Sequence, residues 1–370
     1  MEENNVLIKN VVEQPKIIVH RQRKLKILVF SLIILLVIFL VYLLINSPAK
    51  KSGSKFQTSQ STITASPTPF PFRELTIPYL RERTYKSALS SLEKYFENQS
   101  YTEYLTSYDS DGFKINGLLT EPKGEKPVKG WPAIVFIHGY IPPTQYQTTS
   151  RYADYVDYLA RNGFVVFKID LRGNGNSEGE PGGAYYSSDY VIDTLNAYAA
   201  LQSSSFVDPT KIGLWGHSMA GNVVMRSFAS KPTIPAVVVW AGAGYSYTDL
   251  LQYKINDQSY QPPVTSTNRV RQRQLLMNTY GQPSSTSAFW KEVAPTSYLN
   301  DLKGAIEINH AVDDDVVNIG YSRNLNALLD KTSVPHEFYE YPSGGHNIQG
   351  VSFTSAMENT VRFFKKYLGN

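Results

Sequence analysis

Lys211-Ile212-Gly213-Leu214-Trp215-Gly216-His217-Ser218-Met219-Ala220-Gly221 is the stretch on which the reading of the fold turns. A short apolar run enters a turn of small residues, and a helical pattern follows over 219–230. Strand, tight turn and helix in that order form a nucleophile elbow. The turn lifts the Ser218 hydroxyl above a sheet edge, and small neighbours let the backbone bend. The helix N-terminus beneath it favours developing negative charge. The motif G-x-S-x-G has Gly at its last position; here Ala220 stands there and Gly221 follows, and alanine is small enough for the turn.

The surrounding sequence repeats the alternation. Apolar runs at 133–137, 164–169, 212–215, 236–240, 306–308 and 336–341 read as strands. Helical patterns fall at 152–161, 190–202, 219–230, 319–330 and 354–367. Such alternation predicts a mostly parallel sheet covered by helices on both faces. Upstream, 85–96 reads as a helix, and 101–108 and 113–120 flank a hairpin turn at Asp109-Ser110-Asp111-Gly112. Residues 246–298 fit no strand–helix unit and read as a cap inserted over one end of the sheet.

The N-terminus follows a different pattern. Residues 27–45 are 19 uncharged, almost wholly apolar positions. As a helix they extend about 28 Å, close to the thickness of a bilayer core. A cleaved signal peptide is the rival reading, with Ser47-Pro48-Ala49 as a weak cleavage site, but its apolar region is usually shorter, roughly 7–15 residues. Lys16, Arg21, Arg23, Lys24 and Lys26 precede the span, whereas Lys50, Lys51 and Lys55 follow it. The heavier basic flank stays cytoplasmic, so the expectation is a single-pass anchor in the cell membrane with the bulk of the chain outside. The boundaries are a cytoplasmic basic tail at 1–26, the transmembrane helix at 27–45, a Ser/Thr/Pro-rich linker at 46–72 and one catalytic domain at 73–370.

The net charge of +4 over 370 residues divides unevenly: residues 1–55 carry +6 and the remainder −2. The basic excess therefore orients the anchor and gives no ground for a nucleic-acid partner. The chain has no cysteine, which excludes disulfides, thiolate metal sites and a cysteine nucleophile.

A serine nucleophile needs a base. Of the six histidines, His346 sits in Ser343-Gly344-Gly345-His346-Asn347, between the last strand and the last helix. A chain-order Ser…Asp…His hydrolase carries its base there. His20, His138, His217, His310 and His336 read as structural. The acid that orients the base falls among Asp313, Asp314 and Asp315, after the 306–308 strand, and spacing does not choose among them. Two backbone donors suit an oxyanion: the N–H of Met219, and that of Tyr140 in the loop His138-Gly139-Tyr140 after the 133–137 strand. The stretch 170–179 begins like a G-x-G-x-x-G but has Glu178 in place of the last Gly, with no phosphate-binding Lys. Asp170 and Arg172 are therefore expected to brace neighbouring loops. No cofactor and no metal is expected.

Taken together, these segments resemble the α/β-hydrolase superfamily over about residues 100–370. The motifs His138-Gly139-Tyr140, Asp170-x-Arg172-Gly173-x-Gly175-x-Ser177, Gly216-His217-Ser218-Met219-Ala220-Gly221 and Gly344-Gly345-His346 look most like the catalytic domain of the prolyl oligopeptidase family. That family includes dipeptidyl and acylaminoacyl peptidases and related esterases. Its H-G-x-x-D-x-x-V pattern, matched by His310…Asp314…Val317 with Ala311 in place of Gly, implies Asp314 as the acid. The resemblance also implies Tyr140 as an oxyanion donor. Those peptidases usually carry a large β-propeller. Only about 100 residues precede the hydrolase pattern here, taken up by anchor and tether, which leaves no room for one.

The expected protein is thus a membrane-anchored serine hydrolase of the α/β-hydrolase fold. It is read as a serine-type peptidase acting on small peptides, with a carboxylesterase as the alternative. A catalytically silent binding protein or an acyltransferase on the same scaffold are the lesser readings.

Overall fold

The computed structural model describes residues 71–260 and 267–369. The expected basic tail, the 27–45 span and all but the last two residues of the 46–72 linker lie outside them. Among the described residues no helix is long and apolar enough to cross a membrane.

Among the described residues nine strands form one sheet: β1 (Glu93–Glu97), β2 (Tyr101–Ser110), β3 (Phe113–Pro122), β4 (Trp131–Ile137), β5 (Val165–Ile169), β6 (Val207–His217), β7 (Ala236–Trp240), β8 (Ala305–Ala311) and β9 (His336–Tyr341). Their order is β1-β2-β3-β5-β4-β6-β7-β8-β9. The first three strands are antiparallel, and from β5 to β9 every neighbouring pair is parallel. The helices that matter are α1 (Ile77–Glu82), α2 (Ala153–Arg161), α3 (Asp189–Gln202), α4 (Ala220–Ser230), α5 (Asp249–Tyr253), α6 (Thr267–Tyr280), α7 (Ala288–Val293), α8 (Gly320–Leu329) and α9 (Val351–Leu368).

The side-chain alternation of a strand explains the layers. Val135, Leu214, Val237, Val239, Ile306 and Ile308 face one side and pack with α3, α4 and α8. Ile134, Phe136, Trp215, Val238 and Trp240 face the other and pack with α2 and α9. Strands buried on both faces read as unbroken apolar runs, which is why they are visible in the sequence.

Two expectations are corrected. Residues 85–96 do not form a helix. Leu89 makes an isolated bridge to Tyr108, and 93–97 is the edge strand β1, paired with β2. All five β1 residues are exposed, so burial of an apolar face does not set their conformation. Pairing with the open hydrogen-bonding edge of β2 does. The hairpin turn is also tighter than expected. Asp111 and Gly112 alone form it, with φ of 55° and 83°. Positive φ at both positions is what a two-residue hairpin turn requires.

Between β7 and β8, the segment read as an insertion contributes α5, α6 and α7, followed by a 3-10 turn at Pro295–Asp301.

Candidate active site

The elbow is built as its composition requires. β6 ends at His217, and Ser218 adopts φ 58°, a left-handed conformation that costs energy for a residue with a side chain. Its N–H donates to Trp240 O at 2.9 Å, and its carbonyl accepts from the Gly221 N–H at 2.9 Å. Any side chain at Gly216 would place its Cβ 2.6 Å from Val224 Cγ2 and 2.9 Å from the Ala220 carbonyl oxygen. Met219 stands at the N-cap of α4, so its N–H lies at the positive end of that helix.

Three parallel strands deliver the other groups from their C-terminal ends, the place where open α/β sheets bind ligands. The loop after β9 carries His346, whose Nε2 lies 2.8 Å from Ser218 Oγ. The loop after β8 carries Asp314, whose Oδ2 lies 2.9 Å from His346 Nδ1. The ring therefore donates Nδ1–H to the carboxylate and accepts the serine proton at Nε2. Asp314 Oδ1 accepts from the N–H groups of Val316 and Val317, each at 2.9 Å. His310 Nε2 adds a contact to Asp314 Oδ2 at 3.1 Å, and its Nδ1 is 2.7 Å from Ser322 Oγ. Burial opposes ionisation of Asp314, but the hydrogen bonds from His310 and His346, and the charge of His346, outweigh it. They hold the carboxyl well below the usual carboxylate range.

Spacing left three aspartates open, and the structure gives each a different task. Asp314 meets His346. Asp313 receives the N–H groups of Gly344 and Gly345 at 3.2 and 2.8 Å, fixing the loop that bears the histidine. Asp315 is exposed. The sequence alone assigns Asp313 no task of its own and reads His310 as structural. The H-x-x-x-D spacing was the available signal for His310.

The loop after β4 brings His138, Gly139 and Tyr140 to the same rim. A Cβ on Gly139 would sit 3.1 Å from Ser218 Cβ and 2.8 Å from the Tyr152 hydroxyl oxygen, so only glycine fits beside the serine. The Tyr140 ring packs 5.2 Å from that of Tyr260, in the inserted segment. Further along, the loop is clamped from below. Lys168, fully buried on β5, donates to the carbonyls of Thr148 and Arg151, both at 2.5 Å. Asp170 accepts from the hydroxyls of Tyr146 at 2.7 Å and Thr148 at 2.5 Å. Burial lowers the Lys168 ammonium to about 8, against the pull of Asp170 and Glu103. Arg172 ties the next loop to α3 through Asp193 at 2.6 Å and Asp189 at 3.3 Å. Both residues thus brace loops, as expected from the sequence.

A polar groove of ≈ 1030 Å³ runs beside this loop, lined by Asn116, Gln147, Thr148 and Asn176 among others, but it includes none of Ser218, Asp314 and His346. Among the described residues no cluster of three or more His, Asp or Glu is placed to hold a metal ion.

Comparison with known proteins follows from this geometry. The family described as serine aminopeptidase, S33, matches residues 131–273. The protein named "Probable dipeptidyl-aminopeptidase B" of Botryotinia fuckeliana (strain B05.10) is 22% identical over 256 residues, 64% of this chain and 24% of that one. The chain thus spans about a quarter of that relative's length. An uncharacterized peptidase of Bacillus subtilis (strain 168) is 23% identical over 245 residues, 66% of this chain and 85% of the other. Among solved structures, an acetyl xylan esterase from Paenibacillus sp. R4 superposes with a TM-score of 0.56 at 17% identity, covering 79% of this chain and 92% of the esterase. The chain has the α/β-hydrolase fold. Peptidases and esterases are among the proteins it is similar to, consistent with a serine hydrolase.

Proposed function

We propose that the protein is a membrane-anchored serine peptidase resembling the prolyl oligopeptidase family, cleaving short peptides through an acyl-enzyme on Ser218. The reading rests on one observation: the unbroken hydrogen-bonded path Ser218 Oγ, His346 Nε2, His346 Nδ1, Asp314 Oδ2. His346 takes the Ser218 proton as Oγ attacks the acyl carbonyl. Asp314 holds the ring in the tautomer that accepts this proton and steadies the imidazolium that results. The N–H groups of Met219 and Tyr140 receive the oxyanion. His346 then protonates the leaving group, and water, deprotonated by the same ring, releases the acyl group. The Arg- and Lys-rich flank before residue 27 supports a single-pass anchor with a cytoplasmic N-terminus and an extracytoplasmic catalytic domain.

A second reading, a carboxylesterase, draws support from coverage. The similar esterase is spanned over 92% of its length, against 24% of the dipeptidyl-aminopeptidase. Both readings share the same chemistry and differ in the leaving group.

Paired libraries of aminoacyl-peptide amides and simple acyl esters, incubated with the detergent-solubilised protein, decide between them. The peptidase reading predicts turnover of the amides that Ser218→Ala removes. Turnover of esters alone selects the carboxylesterase, and turnover that survives Ser218→Ala contradicts both.

A further inference from the structure

His217 precedes the serine, is buried, and takes no part in the path just described. Both of its ring nitrogens are engaged. Nδ1 lies 2.8 Å from the Tyr152 hydroxyl, and Nε2 lies 2.8 Å from the main-chain carbonyl oxygen of His346. The same Tyr152 hydroxyl receives the Gly139 N–H at 3.0 Å.

The proton positions follow without choice. A backbone N–H only donates, so Tyr152 Oη accepts from Gly139 and its own hydrogen is left for His217. Nδ1 must then accept. A carbonyl oxygen only accepts, so the single ring proton sits on Nε2 and goes to His346. The chain runs one way, from Gly139 through Tyr152 and His217 to His346. It requires a neutral imidazole, because a proton on Nδ1 would face the tyrosine hydrogen. Burial, together with the nearby His346, favours this state and lowers His217 to about 3.

The surroundings hold the chain rigid. Tyr152 has φ 60°, a strained left-handed conformation at the N-cap of α2. Its ring packs edge-on against Phe136 and Trp215, at 5.5 and 6.2 Å. The Trp215 ring in turn stacks along Phe136 at 4.0 Å. Each end of the chain is a backbone group of a loop at the rim: one adjoins Tyr140, the other belongs to His346.

We propose that Tyr152 and His217 are positioning residues, which fix the oxyanion loop and the base loop relative to each other on either side of Ser218. The proposal rests on reading Ser218 and His346 as nucleophile and base. Neither Tyr152 nor His217 hydrogen-bonds a reacting atom, and the His217 ring packs 4.6 Å, centroid to centroid, from that of His346. Their effect is on where the Tyr140 N–H and the His346 ring sit, and catalysis is sensitive to displacements of that size.

The test uses the full chain in detergent, with a fluorophosphonate as the probe of Ser218 reactivity. Tyr152→Phe removes only a hydroxyl, and His217→Leu removes both ring nitrogens. Each should slow the labelling rate constant and kcat by about 10- to 100-fold, with KM held within about twofold. His217→Gln retains an N–H that reaches the His346 carbonyl and should recover most of the loss. Melting temperatures establish that each variant is folded. In the wild type, nitrogen-15 spectra of labelled histidine should find His217 neutral with its proton on Nε2 from pH 8 to pH 5, a readout that needs no variant. Wild-type labelling rates in both Tyr152→Phe and His217→Leu, or a proton on Nδ1, would overturn the proposal and leave the nucleophile reading intact. A wild type that fails to label at Ser218 would remove that reading, and this proposal with it.

Discussion

The rim formed by the loops after β4, β6, β8 and β9 differs from the segment inserted after β7 in how it is held. On the rim Asp314 receives four donors, the exposed Asp313 two, and the Lys168 ammonium donates to two carbonyls. The insertion is attached more lightly. Helix α6 buries Leu276 in a small cluster with Tyr247, Phe289 and Trp290, while Val270 and Leu275 stay exposed. Charged contacts add to this: Arg269 reaches Asp189 at 2.6 Å and the Glu180 carbonyl at 3.0 Å, and Arg273 lies over the Tyr186 ring. Dense buried hydrogen bonding stiffens a loop, whereas part-exposed ion pairs contribute little. The difference teaches that the groups proposed for the chemistry sit in the more densely hydrogen-bonded loops, and it makes the insertion the place to look for effects on substrate choice.

The sharpest way to break this contrast is Asp314→Asn. The amide leaves the packing in place but cannot hold the His346 tautomer, and kcat should fall by about 10⁴-fold with the fold retained. Steady-state kinetics beside a melting curve measure both.

Beneath the rim, buried Glu307 on β8 accepts from Asn309 and Thr360, and burial raises it to about 7. Its folded value lies above the unfolded one, so the stability it lends is complete below about pH 4.5 and is lost as pH rises through 7. Glu307→Gln has no such proton. The variant should gain on the wild type by roughly 3 kcal/mol between pH 4.5 and 7.5. Denaturant titrations at those two pH values check the sign.

Gly139→Ala tests the closeness of the rim, since its Cβ would press on Ser218 and Tyr152. A fall of about 100-fold in kcat is expected. The smallest effect belongs to the insertion. Arg269→Ala should change stability by less than about 1 kcal/mol and kcat by less than about threefold, while KM differs from one substrate to another. A loss of kcat as large as that of Gly139→Ala would erase the contrast.

The parallel strands and their helices were legible because burial on both faces writes itself as apolar runs, as in 236–240. The elbow was legible because a tight turn admits few residues. Residues 85–96 were misread because their conformation comes from the edge of β2, a long-range partner that no local pattern announces. The same holds at the site. Ser218 and His346 stand in motifs with local signatures. Asp314 needed a family pattern to be chosen from its neighbours. Tyr152 and His217 carry no spacing signal, because they lie 65 positions apart and meet only when β6 and the start of α2 pack together.

Ser218 as nucleophile is tested most directly by mass mapping of the full-length protein after treatment with a fluorophosphonate. One adduct is expected, on Ser218, absent from Ser218→Ala and formed far more slowly in Asp314→Asn. A folded wild type that carries no adduct there, or carries it on another serine, would contradict that role.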